Sequence, residues 1–225
     1  MIAEENLSIN SNPQISISET KIVLLVQELM KQAVLFFKNH IASDFYKKRA
    51  LNEDDFTQIY IEQSQILIRT LDYPFNINGQ YRDITNLSKG FSDFYFYPNE
   101  QHVSTSSFFS VESKRLPSPE KSREKEYVLG NKNNGGIERY KTEKHGKGLN
   151  ESGLLGFVEK GDFNYWSKTI NDWISNLTII NSIWKKDELL LEIESNADFC
   201  VLKSKAHRKN DNMNLTHLWI SIRNT

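Results

Sequence analysis

The sequence predicts a mixed α/β domain, and three observations lead to that prediction. Apolar residues recur at helical spacing in two N-terminal segments and again around residue 170. Between and after these segments, aromatic and β-branched residues form short alternating stretches that are typical of strands. The order helix, helix, strands, helix, strand, helix, strands favours one sheet flanked by helices.

Three longer helices and one short helix are expected. The first covers Glu19–His40, where apolar residues share one face. The second begins at the N-cap Asn52, carries three acids in its first turn and ends near Leu71. A short helix over Ile137–His145 ends at glycines, and Asp162 caps the last helix.

The strands are expected in one central pair and several outlying segments. Ser92–Tyr97 and Ser107–Lys114 are rich in aromatic and β-branched residues and form a hairpin with a long polar connection. Residues 1–18 are polar and predict a flexible arm, so that residues 19–225 make one domain. The further predicted strands are Phe75–Asn78, Gly153–Glu159, Leu189–Glu194, Asp198–Ser204 and Leu215–Ile222.

The composition is that of a chain that buries a core without crossing a membrane. Hydrophobic residues make up 38% and aromatic residues 12% of the 225 residues, which excludes global disorder. The longest apolar run, Ile22–Val26, is far shorter than a membrane span, and the N-terminus lacks the pattern of a signal peptide. One cysteine, Cys200, excludes internal disulfides, so we expect a soluble protein of the cytoplasm.

The charge is balanced overall but uneven along the chain. Lys and Arg number 28 against 29 Asp and Glu, for a net charge of −1, which argues against non-specific coating of nucleic acid. Lys114–Lys147 and Lys203–Lys209 are nevertheless rich in basic residues. Each segment is either a solvated loop or part of a basic face.

Two acids and a lysine are the residues of this sequence that indicate a chemical function. Glu112 and Lys114 lie two apart on one predicted strand, so their side chains share a face. Asp93 opens the preceding strand, and antiparallel pairing brings the start of that strand beside the end of the next. The carboxylates suit Mg²⁺, and the lysine is placed to orient a water or to stabilise charge on a phosphate. A surface acid–lysine pair and a turn aspartate are the structural alternative.

This constellation, set between an acidic helix and a following helix, resembles the PD-(D/E)XK nuclease superfamily. The segment 88–96 fits the core strand of that family, with Gly90 easing the bend before the aspartate, although Ser92 stands where the family has proline. The resemblance covers about residues 52–177. It implies a restriction-endonuclease-like mixed β-sheet core flanked by helices, with an extra N-terminal helix and extra C-terminal β-strands.

The resemblance also implies a metal site and a cofactor. Asp93, Glu112 and the backbone carbonyl of Ser113 would hold Mg²⁺, for which Mn²⁺ substitutes. An acid on the preceding helix would complete the site. Glu53 is the first choice for that acid, and the alternatives on the same helix are Asp55 and Glu62.

A second cluster follows the strand that ends in the lysine. The family places a helix there that faces the phosphodiester. Gly136 would let a phosphate approach free backbone N–H groups, and Arg139 and Lys144 would contact the backbone of a nucleic acid. A glycine loop and a solvated helix are the alternative. His145 is expected at the surface, not as a metal ligand.

The resemblance implies a magnesium-dependent endonuclease that leaves a 5′-phosphate, of the kind found in restriction and antiphage defence. Its partner would be a nucleic acid, DNA before RNA, and no membrane. A homodimer or a partner protein is left open, with the N-terminal helix and an edge-like strand Leu215–Ile222 as candidate surfaces. The alternative is a non-catalytic nucleic-acid-binding or protein-interaction module on the same fold.

Overall fold

A computed structural model describes residues 17–82 and 90–223, so the expected arm over 1–18 lies almost wholly outside the described residues. The helices are α1 (Glu19–Ile41), α2 (Asp44–Lys47), α3 (Glu53–Thr70), α4 (Gly136–Lys141) and α5 (Phe163–Ile180), with 3-10 turns at Lys121–Arg123 and Lys186–Glu188. The strands are β1 (Phe75–Arg82), β2 (Phe91–Pro98), β3 (Phe109–Leu116), β4 (Glu151–Val158), β5 (Leu191–Ser195), β6 (Phe199–His207) and β7 (Asn212–Ser221).

The strands form one seven-stranded mixed sheet in the order β1-β2-β3-β4-β7-β6-β5. The three central strands β3, β4 and β7 are parallel, and the outer strands pair antiparallel on both sides. The last strand of the chain is therefore bonded to β4 on one side and to β6 on the other. The expectation of an edge-like strand over Leu215–Ile222 is wrong, because the chain returns to the middle of the sheet.

Two hydrophobic cores cover the two faces of the sheet. Helices α1 and α3 pack on one face against aromatic residues of β2 and β3, including Phe94, Phe96 and Phe109. Helices α4 and α5 pack on the other face, where Leu154 and Trp219 are fully buried. The domain is thus a three-layer α/β/α structure, which confirms the predicted mixed α/β class.

Side-chain alternation decides which residues of β2 and β3 leave the first core. Phe109 and Val111 of β3 belong to the core under α1 and α3, so Glu112 and Lys114 point to the opposite face. Phe94 of β2 pairs with Val111 in antiparallel register. Continued by one residue, this register sets Asp93 across from Glu112 on the same face.

Two elements differ in length from the expectation. Helix α4 ends at Lys141 and not at His145, because Glu143 adopts a left-handed backbone with φ of 55° that stops the helix. Strand β1 continues to Arg82, beyond the alternating Phe75–Asn78. Among the described helices, none is long and apolar enough to cross a membrane.

Candidate active site

The candidate site lies where β2 and β3 separate. The two strands pair only over Phe94–Phe96 and Phe109–Val111, so the later N–H groups of β3 on that side have no strand partner. The N–H of Ser113 donates instead to Asp93 Oδ2 at 2.6 Å, and the N–H of Arg115 donates to Glu53 Oε2 at 2.9 Å. Two carboxylates are therefore fixed at the open end of β3 by its own backbone.

Glu112 is the buried centre of this group. Its side chain is fully buried, and its Oε1 lies 2.9 Å from Lys114 Nζ and in contact with the guanidinium of Arg139. His145 Nδ1 lies 3.2 Å from Glu112 Oε2, without the alignment of a hydrogen bond. Neither His145 Nδ1 nor Glu112 Oε2 has a hydrogen-bond partner within the described residues. One carboxylate thus has three basic side chains around it.

Lys114 connects the acids to one another. Its Nζ donates to the carbonyl oxygen of Ser113 at 2.6 Å and to Glu53 Oε1 at 3.1 Å, besides its ion pair with Glu112. The side chain is almost completely buried. The ammonium group therefore lies among three oxygen atoms, two of which belong to the metal ligands implied by the resemblance.

Burial and mutual repulsion control the charges of the site. Burial, together with the negative charge of Glu112, raises the pKa of Asp93 to about 7. Burial alone would raise the pKa of Glu112 too, but Lys114, His145 and Arg139 outweigh it and lower that pKa to about 2. Burial likewise opposes the charge of Lys114, yet the surrounding carboxylates raise the pKa of the lysine above its ordinary value.

The structure distinguishes the three candidate acids of α3, which also contains Asp54. Glu53, in the first turn, is the one that reaches Lys114. Asp55 forms a capping box with Asn52, each side chain accepting a backbone N–H of the other residue at 2.9 Å. Glu62 is exposed and accepts a hydrogen bond from Gln58. Glu53 is therefore the acid of this helix that contacts the candidate site.

The residues expected to contact nucleic acid have partners within the protein. Lys144 Nζ donates to the carbonyl oxygens of Lys132 and Asn133 at 2.8 and 2.9 Å, which ties down the loop before α4. Arg139 binds Glu112. The N–H of Gly136 donates to the Glu126 carbonyl at 2.8 Å and is not free for a phosphate.

Packing explains the glycine at position 136. A Cβ atom there would lie 2.8 Å from the carbonyl oxygen of Tyr127 and 2.9 Å from a side-chain carbon of Leu154. The next two N–H groups of the helix, those of Ile137 and Glu138, are also bonded to the segment 127–128. The glycine therefore lets the preceding segment lie close to the helix, which differs from the expected phosphate cradle.

His145 is the residue of this site that sequence reasoning missed. It was expected at the surface, but it is 3% exposed and its ring lies against Glu112 and Tyr140. Gly90 makes room for it, since a Cβ at that position would lie 2.5 Å from the imidazole ring. The one sign of this burial in the sequence was Gly90, three residues before Asp93, which we interpreted from the sequence as easing a bend.

A basic cleft opens beside the site. It has a volume of about 530 Å³ and lies against the segment Lys121–Asn134, with Arg139 in its lining. Lys121, Arg123 and Lys125 line the cleft and are exposed. With Arg139 they outnumber the two acids of the lining, Glu124 and Glu126, the second of which pairs with Arg123. Arg139 also contacts Glu112, so one side chain connects the lining of the cleft to the buried carboxylate.

The donor set can be tested against a metal ion. Within residues 17–82 and 90–223, no group of three or more His, Cys, Asp or Glu side chains is arranged to hold one. The available oxygens are the carboxylates of Asp93 and Glu112 and the carbonyl of Ser113, which are hard donors. The unbonded buried oxygen of Glu112 and the raised pKa of Asp93 both indicate negative charge that a cation would stabilise. The chemical type of these donors therefore suits Mg²⁺.

The chain matches no protein-family model, no curated protein and no solved structure. A functional assignment therefore depends on the fold and on the geometry of the residues described above.

Proposed function

We propose that this protein is a metal-dependent phosphodiester hydrolase that cuts nucleic acid internally. The observation that supports the proposal most is the end of β3 beyond its pairing with β2. Asp93, Glu112 and Lys114 lie together there, and Glu53 joins them from α3. The setting of an acidic helix, an antiparallel strand pair and a following helix agrees with the resemblance to PD-(D/E)XK nucleases. The basic cleft beside Glu112 offers a path for a polyanion.

Asp93, Glu112 and the Ser113 carbonyl are the residues that would hold Mg²⁺. When bound, such an ion supplies Lewis-acid stabilisation of the negative charge that develops on the phosphate. Glu53 lies next to this set and orients Lys114 through its 3.1 Å hydrogen bond.

Lys114 acts in this mechanism as a cation and not as a base. Its pKa is raised by the surrounding carboxylates, so the ammonium group stays protonated at neutral pH. Its three N–H donors already face Glu53, Glu112 and the Ser113 carbonyl. The ammonium therefore stabilises the charge of the phosphate electrostatically, or it orients the attacking water by giving up one of these three partners. The fixed oxygens of Glu53 and Glu112 hold the ammonium in place, which limits its reorganisation during the reaction.

The test is cleavage of supercoiled plasmid DNA and of single-stranded RNA in Mg²⁺, in Mn²⁺ and in EDTA. We expect nicking or cutting in both metals and none in EDTA. Lys114→Met should abolish it, while the exposed strand residue Lys205 serves as control, so that Lys205→Met stays active. An unchanged rate in Lys114→Met, or equal cutting in EDTA, would contradict the proposal.

One observation favours the non-catalytic alternative. Glu112 is already surrounded by Lys114, Arg139 and His145, so much of its charge is neutralised without a metal. A binding module on this fold would keep such an internally paired cluster for stability. A gel-shift measurement on the same substrates separates the two functions, because nucleic-acid binding without cleavage in any of several divalent ions would support the module.

A further inference from the structure

A second groove borders the candidate site and shares no lining residue with the basic cleft. It lies between α3 and the edge strand β1, has a volume of about 390 Å³ and includes Asp93 in its lining. Four side-chain amides line it, and we call it the amide groove. The amides belong to Gln58, Gln65, Asn78 and Gln80.

The charge of the amide groove differs from that of the basic cleft. Its lining contains the carboxylates of Asp54 and Asp93 and no lysine or arginine. A phosphate backbone would be repelled along this surface, since backbone contacts are made chiefly by cationic side chains. Uncharged groups with hydrogen-bond donors and acceptors, such as the edges of nucleobases, suit it better.

Gln80 has a special position in this groove. The ladder pairs Gly79 with Phe94 and Tyr81 with Ser92, which sets Gln80 directly across from Asp93. The backbone of Gln80 has φ of 50°, a left-handed conformation that a residue other than glycine adopts at a cost. Such strain tends to persist at functional sites, where the position of a side chain matters.

The amide of Gln80 is also the one best able to receive a ligand. Gln65 Nε2 donates to the carbonyl of Ile77 at 3.3 Å, and Asn78 Oδ1 accepts the N–H of Gly79 at 2.9 Å. Within the described residues, the exposed amide of Gln80 makes no such bond. Its donor and its acceptor are both open beside a predicted metal ligand.

We propose that the amide groove binds the base of a nucleotide next to the hydrolysed phosphate, with Gln80 as a specificity-determining residue. This inference rests on the proposed function. A glutamine amide presents a donor and an acceptor together, which matches the N7 and N6 groups of adenine. The enzyme therefore cuts beside adenine in preference to other bases, by roughly tenfold for one bidentate contact.

The experiment is cleavage of a DNA library with randomised positions around the cut site, in Mg²⁺, followed by sequencing of the new ends. Gln80→Gly removes the amide and keeps the left-handed backbone conformation without steric cost, and a retained rate of cutting shows that the variant is folded. Asp72→Gly is the matched control, because Asp72 is exposed, has φ of 52° and lies outside the groove.

Wild type and Asp72→Gly should show the same adenine preference, and in Gln80→Gly that preference should fall to about one at a retained rate of cutting. Cleavage with an identical base preference in all three proteins, or with none in the wild type, would overturn the role of the groove and leave the nuclease assignment intact. Failure of the wild type to bind or cut any library member would overturn the proposed function, and the groove proposal with it.

Discussion

Asp93 and Glu112 are two neighbouring carboxylates with opposite electrostatic environments. Glu112 is fully buried, yet three basic side chains keep its pKa near 2. Asp93 has one backbone N–H as its hydrogen-bond donor and feels the charge of Glu112, so its pKa rises to about 7. At neutral pH the negative charge of Glu112 is therefore stabilised by its basic neighbours, whereas the negative charge of Asp93 is opposed by burial.

The first prediction concerns Asp93→Asn in the metal-free protein. The folded pKa of about 7 exceeds the value of about 3.9 in an unfolded chain, so the folded state binds the proton more tightly. Stability therefore falls as pH rises from 4 to 7 and stays at the lower level above 7. Asparagine keeps an acceptor for the Ser113 N–H without this loss, and its advantage should reach up to about 4 kcal/mol at pH 8.

Urea unfolding in EDTA at pH 4 and at pH 8 measures this effect. The difference in the free energy of unfolding between Asp93→Asn and wild type should grow with pH, since the other titrating groups cancel in the comparison. A difference that is the same at both pH values would show that the Asp93 carboxyl titrates normally.

The second prediction separates the lysine from the carboxylates by their effects on metal binding. Lys114→Met removes an ammonium that contacts Glu112, Glu53 and the Ser113 carbonyl, so Mn²⁺ should bind at least as tightly as in wild type. Asp93→Ala removes a predicted ligand and should bind Mn²⁺ weakly. Calorimetric titration gives both affinities, and equal affinity in Asp93→Ala and wild type would exclude Asp93 from the site.

At the scale of elements, α4 is short but firmly held. Tyr140 donates a hydrogen bond shared between the carbonyls of Ser110 and Gly153, at 3.1 and 2.9 Å, which joins the helix to β3 and β4. Lys141 forms a buried ion pair with Glu188 of the second 3-10 turn. These contacts fix the helix that presents Arg139 to Glu112.

The third prediction tests this attachment of α4. Glu188→Ala leaves the buried ammonium of Lys141 without its carboxylate partner, although its hydrogen bond to the His207 carbonyl remains. It also frees the N–H of His207, which donates to Glu188 at 2.7 Å. We expect a loss of about 3–5 kcal/mol in the free energy of unfolding. The exposed pair of Lys31 and Glu194 gives the control, because Glu194→Ala should cost no more than about 1 kcal/mol. Equal losses of stability in Glu188→Ala and Glu194→Ala, measured by thermal or urea unfolding, would contradict the role of Glu188 in holding α4.

The sequence predicted the strands of the site well and the helix after them poorly. Alternation in β2 and β3 is a local property, so it was enough to set Asp93, Glu112 and Lys114 on one face. The end of α4 depends on the backbone of Glu143, and the burial of His145 depends on the close approach of Gly90, the residue before β2. Such contacts between distant segments leave no periodic signal in the sequence.

For the whole molecule, the order of the strands was the part that the sequence did not predict. Each C-terminal segment was predicted as a strand, but alternation does not say which neighbour a strand pairs with. The parallel pairing of β7 with β4 places the chain end in the middle of the sheet. The uneven distribution of charge along the chain was a better guide, since four basic residues of the segment Lys114–Lys147 line one cleft.

The fourth prediction uses the salt dependence of nucleic-acid binding. If the basic cleft holds phosphates, replacing Lys121 and Lys125 with alanine should weaken binding and lower the slope of log K against log salt by about two. Lys168 and Lys209 are also exposed but lie outside the cleft, so the double variant of these residues is the control. Binding by fluorescence anisotropy in EDTA measures the slopes, and an equal effect of both double variants would remove the cleft from the interface.

The end of β3 that lies beyond its pairing with β2 also affects the tendency of the protein to aggregate. An unpaired strand edge offers N–H groups at alternate residues to any other extended chain, and natural sheets protect such edges. At Ser113 and Arg115 the acceptors are the carboxylates of Asp93 and Glu53, so the groups proposed for catalysis also close the edge. Loss of either carboxylate therefore removes a guard against intermolecular strand pairing, and we expect Asp93→Ala and Glu53→Ala to aggregate more readily than the wild type.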